Sequence, residues 1–202
     1  MTNISIPATS TALLVLASTS PFRKNLLERL GIPFETYAPH VDETPLLQES
    51  PAVLVIRLAE LKARAAQSTY PNALIIGSDQ VAVNDGIILG KPQTHEQAIQ
   101  QLMAVRGKSV DFLTGLCLFN TVTHSAQIDM VRFSVTFRQL TLSQIENYLH
   151  REKPYHCAGS FKSEGLGIAL LENMRGNDPT ALIGLPLIRL VQMLETEGML
   201  VI

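Results

Sequence analysis

The chain has 202 residues, 46% of them hydrophobic and 17% charged, with a formal net charge of -2. That balance suits a chain able to bury one substantial core and excludes a disordered segment or a coiled coil. So small a net charge supplies no field for a polyanion, so no nucleic-acid partner is expected, while a small anionic ligand remains open.

Residues 1–11, MTNISIPATST, are polar and patternless and are read as a loose leader, with one domain over 12–202. The apolar run ALLVLA at 12–17 predicts a strand; no Lys or Arg precedes it, which argues against a signal peptide. A helix over 21–30 follows, with Ser20 as N-cap, Pro21 at its first position and Gly31 past its end. FETYA at 34–38 predicts a second strand, and the polar loop PHVDETPLLQES leads to a helix over 51–68. Val53, Leu54, Leu58, Leu61 and Ala65 form that helix's expected apolar stripe, with Lys62 and Arg64 off it.

ALIIGSD at 73–79 has the character of a short buried strand, and VAV with IIL around Asn84-Asp85-Gly86 that of a hairpin. Thr94 and Gln97 propose a capping box for a helix to 105, and Thr141 with Gln144 one for a helix to 149. Between them, 110–138 is strand-rich. GIALLE at 167–172 predicts a strand, and LIRLVQML a last helix ending at Gly198. The expected fold class is α/β, a mixed sheet flanked by helices. No apolar run approaches a membrane span. Cys117 and Cys157 are too few for a disulfide framework, which points to a reducing, cytoplasmic setting.

Three groups of residues have chemical potential. Ser18, Thr19 and Ser20 lead into a helix whose first turn carries Arg23 and Lys24, where the helix dipole disfavours cations. Backbone N–H groups, hydroxyls and two cations form a donor set suited to phosphate, or else a capped helix with solvated charges. Asp79 ends an apolar strand and Asp42 with Glu43 sits in a loop; such carboxylates hold Mg²⁺ or take a proton from water, or merely cap a turn and solvate a loop. Lys62, Lys91 and Lys162 join Arg23 and Lys24 as possible polyphosphate neighbours, though an isolated lysine is usually a surface charge. Glu164 lies in a glycine-rich stretch, facing a ligand or simply exposed in a turn. The five histidines show no metal-ligand spacing.

Taken in order, LASTSPFRKNLLERLG, VDETP, LAELKA, IIGSDQV, LGKP, TGLCLF, GSFKSEGLG and GNDPTALIGLPL resemble the Maf-type nucleoside triphosphate pyrophosphatases over about residues 12–195. The resemblance implies an elongated mixed sheet forming two lobes around a cleft, as in inosine triphosphate pyrophosphatases, in a cytoplasmic and often dimeric enzyme. It implies hydrolysis of a nucleotide to a monophosphate and pyrophosphate with a divalent cation, Mg²⁺ or Mn²⁺. Asp79 falls on the family's proton acceptor, Ser18, Arg23, Lys62 and Lys91 on its phosphate-binding positions, and Asp42 and Glu43 on its acidic loop. Branches of the family differ where this chain has Phe22, Gln80 and Glu164. The branch acting on dTTP and UTP carries Arg, Thr and Gln there; this chain is similar instead to a branch whose implied substrate is 7-methyl-GTP, though that branch commonly has Trp in place of Phe22. N7-methylation makes guanine cationic, and an aromatic face and a carboxylate both attract a cation. A pyrimidine or broader-range pyrophosphatase, and a nucleotide-binding cell-division regulator without turnover, are the alternatives.

Overall fold

The structure is a computed structural model and describes residues 12–202. The 1–11 leader lies outside the described residues.

Chain order is β1 (Leu13–Ala17), α1 (Pro21–Glu28), β2 (Glu35–Tyr37), α2 (Pro51–Ala65), β3 (Ala73–Asn84), β4 (Ile87–Leu89) and α3 (His95–Val105). Then come β5 (Ser109–Asn120), β6 (Ala126–Phe137), α4 (Leu142–Glu152), β7 (Leu171–Gly176), α5 (Pro179–Ile183) and α6 (Leu187–Thr196). The strands form one mixed sheet of order β2-β1-β3-β5-β6-β7, with β4 pairing β3. β1 runs parallel to β2 and β3, and the other pairs are antiparallel. The expected α/β class with helices on both faces is what forms.

β3 decides the architecture. The expected short strand and the first arm of the hairpin are one 12-residue strand, because β5 pairs with it without a break from Leu74 to Val83. On its other edge β1 pairs only as far as Ile76, and β4 begins only at Ala82. Residues 77–81 therefore have an open edge, and the sheet splits there.

Two main cores lie along the same side. Leu14, Leu16, Leu74 and Ile76 pack with Leu26 and Leu27 of α1 and Leu190 and Leu194 of α6. Beyond the split, Phe112, Phe133 and Phe137 pack with Leu102 of α3 and Ile145 and Leu149 of α4. These are the two lobes, joined by β3 and β5, which run through both.

α2 covers the opposite face, and its stripe differs from expectation. Val53 and Leu61 are 54% and 39% exposed, whereas Val55, Leu58, Ala59, Lys62 and Ala63 are buried. The helix is rotated because its backbone lies directly on two sheet glycines. A Cβ on Gly77 would strike the Ala59 carbonyl and one on Gly115 the Val55 carbonyl, so α2 reaches this distance only where the sheet carries no side chain. That rotation carries Lys62 to the sheet.

The 167–172 stretch also differs. It is a 3-10 turn over Leu166–Leu170 before β7 starts at Leu171. Its apolar residues are explained by Leu170 filling the second core. α5 has no counterpart in the sequence reading, since five residues are too few to establish a helical period.

Candidate active site

The split in β3 opens into a cleft of about 1010 Å³. Because successive strand residues face opposite ways, Asp79 and its neighbour Gln80 serve different faces of the sheet. Asp79 points toward α2, where its Oδ1 meets Lys62 Nζ at 2.6 Å. The same ammonium meets Glu43 Oε1 at 2.8 Å. The Lys62 side chain is only 7% exposed, so its charge is shielded by protein and held between two carboxylates. Asp79 Oδ2 and Glu43 Oε2 make no hydrogen bond among the described residues.

Gln80 points the other way, toward α5. Its Nε2 donates to the carbonyls of Ala181 at 2.7 Å and Leu182 at 3.1 Å, with Thr114 Oγ1 at 3.0 Å. These bonds tie Gln80 to the last turn of α5, where the Ala181 carbonyl also accepts from the Thr114 hydroxyl and the Gly184 N–H. Its Oε1 has no partner among the described residues, and the residue lines the cleft.

α5 is anchored at both ends. Buried Asp178 caps it through the Thr180 N–H and hydroxyl, and its second oxygen accepts the Ile188 N–H of α6. The Gly184 carbonyl just past α5 accepts from Ser78 Oγ at 2.9 Å and from Arg23 Nε at 2.8 Å. Arg23 Nη1 reaches Ser18 Oγ at 3.4 Å. Arg23 thus bridges α1 to the end of α5. Desolvation lowers its pKa from the ordinary guanidinium value, against the raising charges of Asp79 and Glu43. A half-buried, partly desolvated cation of this kind gains from an anion entering the cleft.

Ser18, Phe22, Arg23, Glu43, Lys62 and Asp79 line this one cavity, as do Gln80, Lys91 and Glu164. Two expected residues do not join them. Lys24 lies on the exposed side of α1, 3.9 Å from Glu28, because the next position along a helix is turned about 100° from Arg23. Asp42 is exposed and turns back on its own loop, its Oδ1 accepting the Thr44 N–H at 2.9 Å; Thr44, through its side chain first and this N–H second, lowers its pKa. Of the expected pair of metal-binding carboxylates, only Glu43 reaches the cleft.

Among the described residues no group of three or more His, Cys, Asp or Glu is placed to hold a metal ion. Glu43 and Asp79 each leave one oxygen open beside Lys62. That donor set does not amount to an all-protein cage, but it fits a hard divalent cation held by one or two carboxylates and completed by substrate phosphates.

Sequence reasoning passed over Asp178, Ser78 and Thr114, which fix α5. It also gave no role to Glu152, on the far wall of the same cleft. Asp178 had a signal, since Asp-Pro-Thr before a helix is an N-cap pattern.

The split sheet, the buried lysine between two carboxylates and the anchored arginine belong to a recognisable class. The sequence model of the Maf-like protein family matches residues 13–197, and the chain belongs to that family. A 7-methyl-GTP pyrophosphatase of Nitrosococcus oceani is 60% identical over 195 residues, covering 96% of this chain and 98% of that protein. Another 7-methyl-GTP pyrophosphatase, from Methylobacillus flagellatus, is 55% identical, covering 94% of this chain and 98% of that protein. A third, from Nitrosospira multiformis, is 57% identical over 92% of this chain and 93% of that protein.

Proposed function

We propose that this protein hydrolyses 7-methyl-GTP between its α and β phosphates, giving 7-methyl-GMP and pyrophosphate. The observation that carries the reading is the cleft at the break in β3, where Asp79, Lys62 and Arg23 share one cavity with Phe22, Gln80 and Glu164. Near-full-length likeness to proteins named for that activity supports it.

In this reading the triphosphate lies against Arg23, Lys62, Lys91 and Ser18, which offset the charge that would repel a nucleophile. Asp79 takes the proton of the attacking water through its open Oδ2. The new P–O bond forms as the α–β anhydride bond breaks, and pyrophosphate departs with the bridging oxygen. Lys62 holds Asp79 by Oδ1, which fixes the carboxylate while leaving its other oxygen to act. Glu43 is the residue that would hold a divalent cation, together with the substrate phosphates, leaving Asp79 Oδ2 to the water; such a cation would withdraw charge from the phosphate oxygens. Phe22 and Glu164 offer a ring face and a negative charge to the methylated base, and Gln80 offers an acceptor. A homodimer and a cytoplasmic location belong to the same proposal; no helix among the described residues is long and apolar enough to cross a membrane.

The test is pyrophosphate release from 7-methyl-GTP, GTP, dTTP and UTP with Mg²⁺ or Mn²⁺. Preferential turnover of 7-methyl-GTP is expected; preferential turnover of dTTP or UTP overturns the substrate. Asp79→Asn is expected to lower kcat by about 10²- to 10⁴-fold while nucleotide still binds. A full rate in that variant removes Asp79 from the reaction.

A further inference from the structure

Glu164 sits at the cleft on a stretch without regular structure, between the 3-10 turns Ala158–Ser160 and Leu166–Leu170. A side chain on such a stretch is placed only as well as the backbone beneath it. The hydrogen bond that Glu164 itself makes is to the adjacent Ser163, which moves with it. Its backbone is held instead by one face of α4.

Tyr148 and Glu152 are four residues apart on α4 and so lie one above the other. The Tyr148 hydroxyl donates to the Ser160 carbonyl at 3.2 Å and accepts the Lys162 N–H at 3.1 Å. Glu152 Oε1 accepts from Lys162 Nζ at 2.6 Å, and its Oε2 accepts the Leu166 N–H at 2.6 Å. Gly165 passes so close to this carboxylate that a Cβ there would collide with it. The anchors therefore grip the chain on both sides of Glu164. The start of the stretch is tied to the segment that carries Lys91. Ser160 Oγ donates to Gln101 Oε1 at 2.6 Å, and both Gln101 Nε2 and the Gly159 N–H donate to the carbonyl of Gly90, next to Lys91.

The protonation states agree with this arrangement. The Lys162 ammonium, and after it the Leu166 N–H, hold the Glu152 carboxyl below its ordinary range, so it is ionised near neutrality. Burial pushes the Tyr148 hydroxyl up, so it keeps the proton it donates.

We infer that Glu152 is a positioning residue which, with Tyr148 as a second anchor, fixes the 160–166 stretch and thereby sets where Glu164 meets the base. This rests on the proposed reading of Glu164 as a base-recognising carboxylate. Glu152→Gln keeps the shape and an acceptor for the Leu166 N–H but loses the charge that holds Lys162. The ratio of kcat/KM for 7-methyl-GTP over GTP is expected to fall about fivefold or more, mainly through KM, as befits loss of a charge-assisted hydrogen bond. In a Glu164→Gln background the same change is expected to lower the ratio no further, since both act on one contact. Hydrogen exchange at the Lys162 and Leu166 amides is expected to speed up in Glu152→Gln.

An equal loss on both nucleotides, an unchanged ratio, or full additivity in the double variant overturns the inference, as does unchanged exchange. If Glu164→Gln lowers the ratio and Glu152→Gln does not, the inference alone fails. If Glu164→Gln is without effect, the reading of Glu164 fails and takes the inference with it. If the wild-type protein prefers another nucleotide, the substrate proposal fails and the Glu152–Glu164 coupling is measured on the preferred one.

Discussion

Phe22 follows Pro21 in the first turn of α1 and lines the cleft one residue before Arg23. The proximity is functional in the proposed reading, because one turn of chain then supplies a phosphate ligand and a ring for the base. A phenyl face attracts a cation less than an indole does. Phe22→Trp is therefore expected to lower KM for 7-methyl-GTP by a few-fold, on the order of 0.5–1 kcal/mol, with a smaller effect on GTP, whose base is uncharged. Steady-state kinetics on the two nucleotides decides it, and an equal change on both makes the ring mere packing. Gln80 shows how much a single residue type conceals. The resemblance implies a place for it among the specificity residues, but the division of its amide, with Nε2 spent on α5 and Oε1 left open, depends on residues 101 and 102 positions away. Lys62 is the sharper case. A stripe counted from the larger apolar side chains puts it off the buried face, whereas the glycines of β3 and β5 turn it inward.

At the scale of elements, the loop between β2 and α2 must deliver Glu43 to Lys62, and a clamp on α2 holds it. Arg57 grips Glu49 through two bonds, at 2.6 Å and 2.7 Å, and donates to the Thr44 carbonyl at 3.1 Å. Glu49 also accepts the Leu46 N–H. Arg57 first, and that N–H after it, hold the Glu49 carboxyl down to about 2, from an ordinary 4.5. Because the folded value is the lower one, the stabilisation is complete above the ordinary value and is lost as pH falls toward about 2. Loop proteolysis is thus expected to be constant from pH 7 to 5 and to accelerate below about pH 4. Arg57→Ala is expected to show that loosened loop at neutral pH and to lose about tenfold in kcat/KM through displaced Glu43. A protected loop and full activity in that variant would leave Glu43 placed by Lys62 alone. The boundaries of these elements were largely open to sequence reading, since Ser20, Ser50, Thr94 and Thr141 each accept a hydrogen bond from the first turn they precede.

Across the whole molecule, the two cores share β3 and β5 and meet α2 on the far face, so burial there reports on the integrity of the entire sheet. Cys117 lies between the sheet and α2, and burial pushes its thiol up to about 12. Cys157, in the cleft wall, is less buried, and its thiol is raised chiefly by burial as well. A thiol-alkylating reagent at pH 8 is expected to modify Cys157 slowly in the native protein and Cys117 only on global unfolding. Mass spectrometry of the labelled peptides checks this, and native labelling of Cys117 at the rate of Cys157 would show that α2 separates from the sheet without unfolding.

By itself the sequence determined the α/β class, most helix starts and most of the polar residues that gather at the cleft. Those properties follow from local hydrogen bonding at caps, from hydrophobic period and from motif order, all of which act over short distances along the chain. Only the tertiary structure decided that β3 outruns β1 and splits the sheet, that Lys62 faces inward between Glu43 and Asp79, and that Asp42 and Lys24 stay outside. These outcomes depend on how far distant strands pair and how closely a helix backbone approaches two glycines. Such contacts join residues far apart in the chain, and no local pattern encodes them.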